Sequence, residues 1–226
     1  MNAADRNLTY ISRIQCVKAA IDSQVNDMAH GAELRKVGVV TFNHEVSVLG
    51  DGTKDAQVIS GDKLNNFEYL RDNGKAQFSE RMTQPIGQTK DVLKAKIEQI
   101  EETGPTALGP AILTSVAMAT QGAAGSVVVI CTDGLANIGL GSFDGLVTEQ
   151  NKIDADNFYT RVGEIAQQAG ITINIVSIEG DECNIESLSR LADLTGGTVE
   201  RVNPTTLTQN FANMLALPVI ATNVEA

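Results

Sequence analysis

The sequence predicts an α/β protein with a mostly parallel central sheet, helices on both faces of that sheet and a hairpin at its edge. Short β-branched runs alternate along the chain with amphipathic segments of ten or more residues. The most apolar run, residues 126–131, is followed at once by Thr132, Asp133 and Gly134. An apolar run without alternation fits a strand that helices cover on both faces. A chain of 226 residues suits one such domain and is short for two.

The composition argues against several kinds of partner. Lys and Arg number 17 against 28 Asp and Glu, so the formal net charge is −11, and no basic cluster stands out. We therefore expect no nucleic-acid partner and no membrane insertion. The three cysteines, Cys16, Cys131 and Cys183, are odd in number and far apart, as is typical of free thiols in a reducing compartment. The first residues carry no apolar signal core, so we expect a cytoplasmic protein.

The first half of the chain predicts a helix, a central strand and a hairpin. Apolar residues three and four apart indicate a helix over 10–28, and the β-rich run 37–42 follows as the central strand. Residues 45–49 and 57–59 form the hairpin. Residues 61–88 are loose and polar, broken by Gly74, Pro85 and Gly87, and predict one helical turn near 67–70.

The second half predicts alternating helices and strands. The helices fall at residues 90–100, 112–117, 158–169, 188–192 and 207–215, and the strands at 126–131, 171–177 and 198–202. Residues 137–151 are a glycine-rich loop, in which Asn137 and Ser142 either line the rim or, as is commoner for loop residues, are solvated. We expect residues 1–216 to be one domain and residues 217–226, which are again β-rich, to be a tail that begins a following module.

Thr106 and Asp133 are the candidate site residues. Thr106 lies in a Gly-Pro-Thr loop that leads into a helix, and Asp133 ends the buried strand. If that helix returns the chain to the start of the strand, both residues lie at the carboxyl end of the sheet, where open α/β sheets bind ligands. Hydroxyl and carboxylate oxygens suit a hard cation such as Mg²⁺. Alternatively, Thr106 caps the next helix and Asp133 braces a turn.

These two loops resemble two of the three loops of the metal-ion-dependent adhesion site of von Willebrand factor A (VWA) domains. The similarity in order and spacing runs from about residue 10 to residue 215, and the layout from residue 195 onward is similar to the trunk domains of vesicle-coat proteins. The resemblance implies a three-layer Rossmann-like VWA fold and a non-catalytic protein–protein interaction module. It also implies a metal held by Thr106 and Asp133, which an acidic side chain of the protein ligand would reach.

The sequence departs from the family at its first strand. The Asp-x-Ser-x-Ser loop is absent, and the nine residues before the first helix are polar. The chain thus looks like a fragment of a family member without the strand that would lie between residues 37–42 and 126–131. We expect a partial site that binds Mg²⁺ weakly. We also expect the vacant strand position to be refilled by residues 219–224 or by a partner's strand, which would give strand-mediated self-association.

Two other functions stay open at this point. The first is an α/β hydrolase or transferase that uses Asp133, although no second catalytic candidate, phosphate-binding loop, Gly-x-Ser-x-Gly or His-Glu-x-x-His motif accompanies it. The second is a structural remnant with no ligand. His30 and His44 have no neighbours in sequence that suggest metal or nucleophile chemistry, and we interpret both as surface residues.

Overall fold

The computed structural model describes residues 12–101, 104–133, 136–143, 148–178, 185–203 and 207–216. Its helices are α1 (Arg13–Gly31), α2 (Phe67–Arg81), α3 (Ile86–Glu98), α4 (Leu108–Ala119), α5 (Glu149–Gln168), α6 (Ile185–Leu194) and α7 (Leu207–Ala216). Its strands are β1 (Val39–Phe42), β2 (Val46–Gly50), β3 (Gln57–Ile59), β4 (Val127–Thr132), β5 (Thr172–Ile178) and β6 (Val199–Val202). Within the described residues, no helix combines the length and the apolar character that crossing a membrane requires.

The strands form two three-stranded sheets. β1, β2 and β3 pair antiparallel in that order, which confirms the predicted hairpin. β4, β5 and β6 pair parallel in that order. The sequence predicted a mostly parallel central sheet with a vacant strand position between residues 37–42 and 126–131. In the described part of the chain, no register of hydrogen bonds joins β1 to β4. Each of these two strands therefore has a paired neighbour on one side only.

Helices cover both faces of the parallel sheet, as predicted. Val128 and Ile130 of β4 belong to the large core that α2, α4, α5 and α6 share. The alternate residues Val129 and Cys131 pack instead in a second core with α1 and α7. Because successive side chains of a strand point to opposite faces, these two cores lie on opposite sides of β4.

Helix α1 connects the two sheets by packing. Ile21 contacts the core beneath β4 and also a third core, where Val25 packs with Ile86 and Leu93 of α3 and with Val39 of β1. The helix begins with a capping box at Ser12, whose hydroxyl accepts a hydrogen bond from the Gln15 amide at 3.3 Å. One helix therefore spans the space beneath both β1 and β4.

The prediction for residues 61–88 was wrong. A short 3₁₀ helix at Gly61–Asn65, the 15-residue α2 and the start of α3 occupy this stretch. Gly74 looked like a helix breaker, but a Cβ there would lie only 2.6 Å from the carbonyl oxygen of Thr114, so glycine lets α2 approach α4 closely. The buried stripe of α2 consists of Leu70, Gly74 and Gln77, which is too weakly apolar to stand out in the sequence.

The loop predicted over residues 137–151 is shorter in the structure, because the next helix begins before residue 151. Helix α5 begins at Glu149, after Thr148 caps it by accepting a hydrogen bond from the Asn151 amide at 3.2 Å. The first residues of α5 are exposed and polar, so they carry no apolar stripe. The whole of the predicted tail, residues 217–226, lies outside the described residues, and so does the start of the predicted first helix.

A buried carboxylate fixes the turn after β2 to the junction of α2 and α3. Asp51 has no exposed surface and accepts hydrogen bonds from the Thr53 hydroxyl at 2.6 Å and from the amides of Thr83 at 2.8 Å and Gln84 at 3.0 Å. Burial alone would raise the pKa of Asp51, but the hydrogen bonds from Thr53, Gln84 and Thr83 together outweigh burial and lower this pKa. The folded state therefore favours the ionised carboxylate.

We predict that Asp51→Asn lowers the free energy of unfolding by about 2 kcal/mol at pH 7, because the amide keeps only one acceptor oxygen. The lowered pKa means that Asp51 stabilises the fold fully above its unfolded-state pKa, and that this contribution is lost as pH falls through its folded-state pKa. Urea denaturation at several pH values checks both statements. Asp55→Asn, at an exposed side chain, is the control. Equal losses in the two variants would contradict the role of Asp51.

Candidate functional site

The threonine loop and the loop after β4 lie side by side, as the sequence predicted. The side-chain Oδ1 atom of Asn137 accepts a hydrogen bond from the backbone amide of Thr106 at 2.6 Å. The backbone amide of Asn137 donates in return to the carbonyl oxygen of Thr106 at 3.1 Å. The next amide, that of Ala107, donates to the carbonyl oxygen of Asn43, just after β1, at 2.7 Å. The ends of β1 and β4 and the start of α4 therefore meet at one rim of the molecule.

At this rim, the carboxylate of Asp133 lies beside an arginine side chain of the same chain. Its Oδ2 atom is 3.4 Å from Nη1 of Arg13, the first residue of α1. The side chains of Arg13 and Asp133 are 42% and 41% exposed, so water screens the pair and its contribution to stability is small. The sequence analysis did not identify Arg13 as a site residue and missed this contact. No sequence signal links residues 13 and 133, because the fold alone brings them together.

The described residues do not fit a resident metal centre. In this part of the chain, no three His, Cys, Asp or Glu side chains come together as metal ligands would. Mg²⁺ keeps several waters and needs few protein ligands, but it needs carboxylate charge that is not already neutralised. Arg13 partly neutralises Asp133 and repels a cation there. That Thr106 and Asp133 ligate a metal stays a prediction.

Close backbone packing holds α4 against the rim loop of residues 136–143. A Cβ at Gly109, in the first turn of α4, would overlap the carbonyl oxygen of Leu140. Across the same loop, the buried Tyr159 hydroxyl of α5 donates to the Gly141 carbonyl oxygen at 3.1 Å. The loop that carries Asn137 is therefore braced by α4 and α5, which fixes the threonine loop in turn.

Cys131, two residues before Asp133, is partly buried against the core beneath β4. Burial, and to a smaller extent the negative charge of Asp133, raises the pKa of the Cys131 thiol to about 12. The thiol is therefore protonated at neutral pH, and a protonated thiol is a poor nucleophile. The side chain packs beside α1 in the core beneath β4.

The fold is similar to parts of two solved structures. The structure resembles part of the human COPII-coat protein Sec24c with a TM-score of 0.59 and 13% identity, over 89% of this chain and 31% of that protein. It also resembles proximal thread matrix protein 1 from the mussel byssus with a TM-score of 0.52 and 13% identity, over 90% of this chain and 41% of that one. At such low identity these likenesses concern the fold alone, and the first agrees with the predicted similarity to vesicle-coat proteins.

A longer protein is similar in sequence over the whole chain. Circularly permutated Ras protein 1 from Dictyostelium discoideum is 34% identical over 227 residues, which cover 100% of this chain and 26% of that protein. The chain thus spans about a quarter of the length of the curated relative that it matches. That relative is named for Ras and not for a VWA domain. No protein-family model matches the chain.

We predict that Asn137→Ala destabilises the fold by about 1–3 kcal/mol, because the Thr106 amide loses its acceptor. Asn137→Asp keeps an acceptor oxygen and is the matched control. Urea denaturation measures the loss, and hydrogen exchange of the Thr106 amide locates it. An unchanged exchange rate for that amide in Asn137→Ala would show that this contact does not hold the two loops together.

Proposed function

We propose that this chain is a non-catalytic protein-interaction module that recognises a protein ligand at its carboxyl-end rim, the surface formed by Arg13, Thr106, Asp133 and Asn137. The main support is the reciprocal bonding of Asn137 and Thr106, which fixes two loops from distant parts of the sequence into one surface. The parallel sheet of β4, β5 and β6 adds support, because open α/β sheets bind ligands at the carboxyl ends of their strands.

The charges at the rim favour a ligand with an acidic side chain. The Arg13 side chain is partly exposed and its contact with Asp133 is a single 3.4 Å approach, so the guanidinium keeps donors for a second partner. A guanidinium binds a carboxylate through two parallel hydrogen bonds, which gives the contact direction as well as charge. We therefore propose that a carboxylate of the ligand replaces or shares the contact of Asp133 with Arg13.

A non-catalytic role is supported by the state of the two reactive groups near the rim. The Cys131 thiol is held protonated at neutral pH, and Asp133 faces Arg13 rather than a group that it could deprotonate. Cys16 and Cys131 are free thiols in the described part of the chain. Free thiols persist in reducing compartments, which supports our proposal that the module acts in the cytoplasm.

The similarity to a Ras-named protein suggests which kind of part this chain forms in such a longer protein. A Ras-type nucleotide site requires a phosphate-binding loop with the pattern Gly-x-x-x-x-Gly-Lys-Ser/Thr, and this sequence has no such pattern. We propose that the chain corresponds to a part that recognises partners, and that any nucleotide site of such a protein lies outside the matched quarter.

Peptide display on the immobilised chain tests the proposed ligand class. We expect selected peptides to be enriched in Asp and Glu and to bind the Arg13→Ala variant at least about tenfold more weakly, a loss of about 1.4 kcal/mol. Arg190→Ala, at an exposed arginine of α6 away from the rim residues, is the matched control and should bind normally. Peptides without acidic residues, or equal binding to Arg13→Ala, would contradict the proposal.

We predict that the wild-type chain binds Mg²⁺ or Mn²⁺ only weakly, in the millimolar range or above, because Arg13 opposes a cation at Asp133. Arg13→Ala should strengthen binding, and Arg13→Ala with Asp133→Asn should abolish that gain. Isothermal titration calorimetry with each metal chloride measures all three. Tight saturable binding by the wild type would show that the site accommodates a metal despite Arg13.

A further inference from the structure

A cleft with a volume of about 480 Å³ lies between helices α2 and α5. We call it the α2–α5 cleft. Arg71 and Lys75 line it from α2, and Arg161, Glu164 and Gln168 line it from α5. A cavity of this size can hold a small ligand or a few side chains of a larger one.

The cleft is built on helices that are packed against the core. Leu113 and Ala117 of α4, which have no exposed surface, lie beneath it. At one end α2 and α5 come together, where the ring of Phe67 meets the ring of Phe158 edge-on with centroids 6.1 Å apart. Helix α4 starts at the rim, and the cleft begins at Leu113 in the middle of that helix. The cleft is therefore a surface separate from the rim.

Positive charge dominates the lining of the cleft. Arg71, Lys75 and Arg161 stand against the one carboxylate of Glu164, in a chain whose formal net charge is −11. Local charge of one sign attracts partners of the opposite sign and helps to orient them. The lining therefore favours an acidic ligand.

A carboxylate of the chain itself shows what the two arginines can bind. The Oε2 atom of Glu68 accepts a hydrogen bond from Nη2 of Arg71 at 2.5 Å, and its Oε1 atom accepts one from Nη2 of Arg161 at 3.2 Å. Guanidiniums from two helices thus meet at one carboxylate. The Glu68 side chain is 56% exposed, and exposed ion pairs contribute little to stability, so another carboxylate can replace it at small cost.

The cationic groups keep donors for a ligand. Arg71 uses its Nε and Nη2 atoms for carboxylates of its own helix, which leaves Nη1. Arg161 donates only through Nη2, and its guanidinium lies over the ring of Phe67 at 3.6 Å from the centroid, which holds it in place. Lys75 makes no hydrogen bond or ion pair with the described residues. Both walls of the cleft therefore offer donors.

We infer that the α2–α5 cleft is a second docking surface, which binds an acidic segment of a partner protein. One carboxylate of the segment takes the place of Glu68 between Arg71 and Arg161, where it can accept two hydrogen bonds from a guanidinium. A second carboxylate binds Lys75, one helical turn beyond Arg71. The half-buried Ile165 and the methylene groups of the basic side chains contact the apolar parts of the segment.

The spacing of the charges favours an acidic segment over a phosphate group. Arg71 and Lys75 are four residues apart, which is about 6 Å along α2, so the positive charge is spread along the cleft. Carboxylates that follow one another on a segment match such a spread, whereas a phosphate concentrates its charge at one point. Glu164 in the lining also repels a doubly charged phosphate more strongly than a single carboxylate.

An NMR titration of the ¹⁵N-labelled chain with a capped hexaglutamate peptide at low salt tests the inference. We expect saturable shifts of backbone amides in residues 71–75 and 161–168. Lys75→Gln combined with Arg161→Gln should weaken binding at least about fivefold. Glu68→Gln should strengthen binding about twofold or more, because it removes the carboxylate that competes for both arginines.

The controls separate the cleft from general attraction between charges. A capped hexaglutamine peptide should cause no such shifts. Lys54→Gln, at an exposed lysine that does not line the cleft, should bind hexaglutamate as the wild type does. Circular dichroism checks that each variant is folded. If Arg161→Gln disturbs the fold, Lys75→Gln alone and Glu68→Gln still test the cleft, because both side chains are exposed.

Three results would overturn the inference. Shifts confined to the rim residues would show that acidic peptides bind there and not in the cleft. Weaker or unchanged binding by Glu68→Gln would mean that a ligand carboxylate does not replace Glu68. Inorganic phosphate that saturates the shifts of the cleft amides at lower concentration than hexaglutamate would assign the cleft to a phosphate-bearing ligand.

Discussion

The two sheets of this protein are joined by side-chain packing, and in the described residues no ladder of backbone hydrogen bonds joins a strand of one to a strand of the other. Helix α1 lies against both sheets on one face and α4 on the other, so apolar burial carries the connection between them. Apolar burial is strong but has no direction of its own, whereas the hydrogen bonds of a strand ladder fix register. The relative position of β1 and β4 therefore depends on the two helices and on the few polar contacts at the rim.

The rim contacts matter because they are hydrogen bonds, which are directional, whereas the apolar packing between the two sheets is not. Asn137 bonds both the amide and the carbonyl of Thr106, and Ala107 bonds the residue that follows Phe42, so the threonine loop is tied to the ends of both sheets. The same loop starts α4, whose Ile112 and Ser115 line a space together with residues of β1 and β4. The candidate binding surface and the junction of the two sheets are thus one structural unit. A ligand bound at the rim would therefore affect the junction as well.

The rim also shows how a family-level expectation is altered by one side chain. A carboxylate and a hydroxyl at the end of a strand suit a hard cation, but here the carboxylate of Asp133 has a guanidinium beside it. In a chain with a net charge of −11, an exposed arginine at the point where three elements meet favours an acidic partner. This altered rim is consistent with recognition that depends on Arg13 more than on a metal.

The sequence alone determined the strands, the hairpin and most helices, because apolar periodicity reports local burial. It also predicted that Thr106 and Asp133 share one end of the fold, since a helix that returns the chain to the start of β4 begins near the end of β4. Only the tertiary structure decided that residues 67–81 form a helix, because Gly74 and Gln77 are buried by contact with α4 and not by their own hydrophobicity. The pairing of Arg13 with Asp133 and of Asn137 with Thr106 was likewise decided by the fold, since residues far apart in sequence leave no periodic signal of their contact.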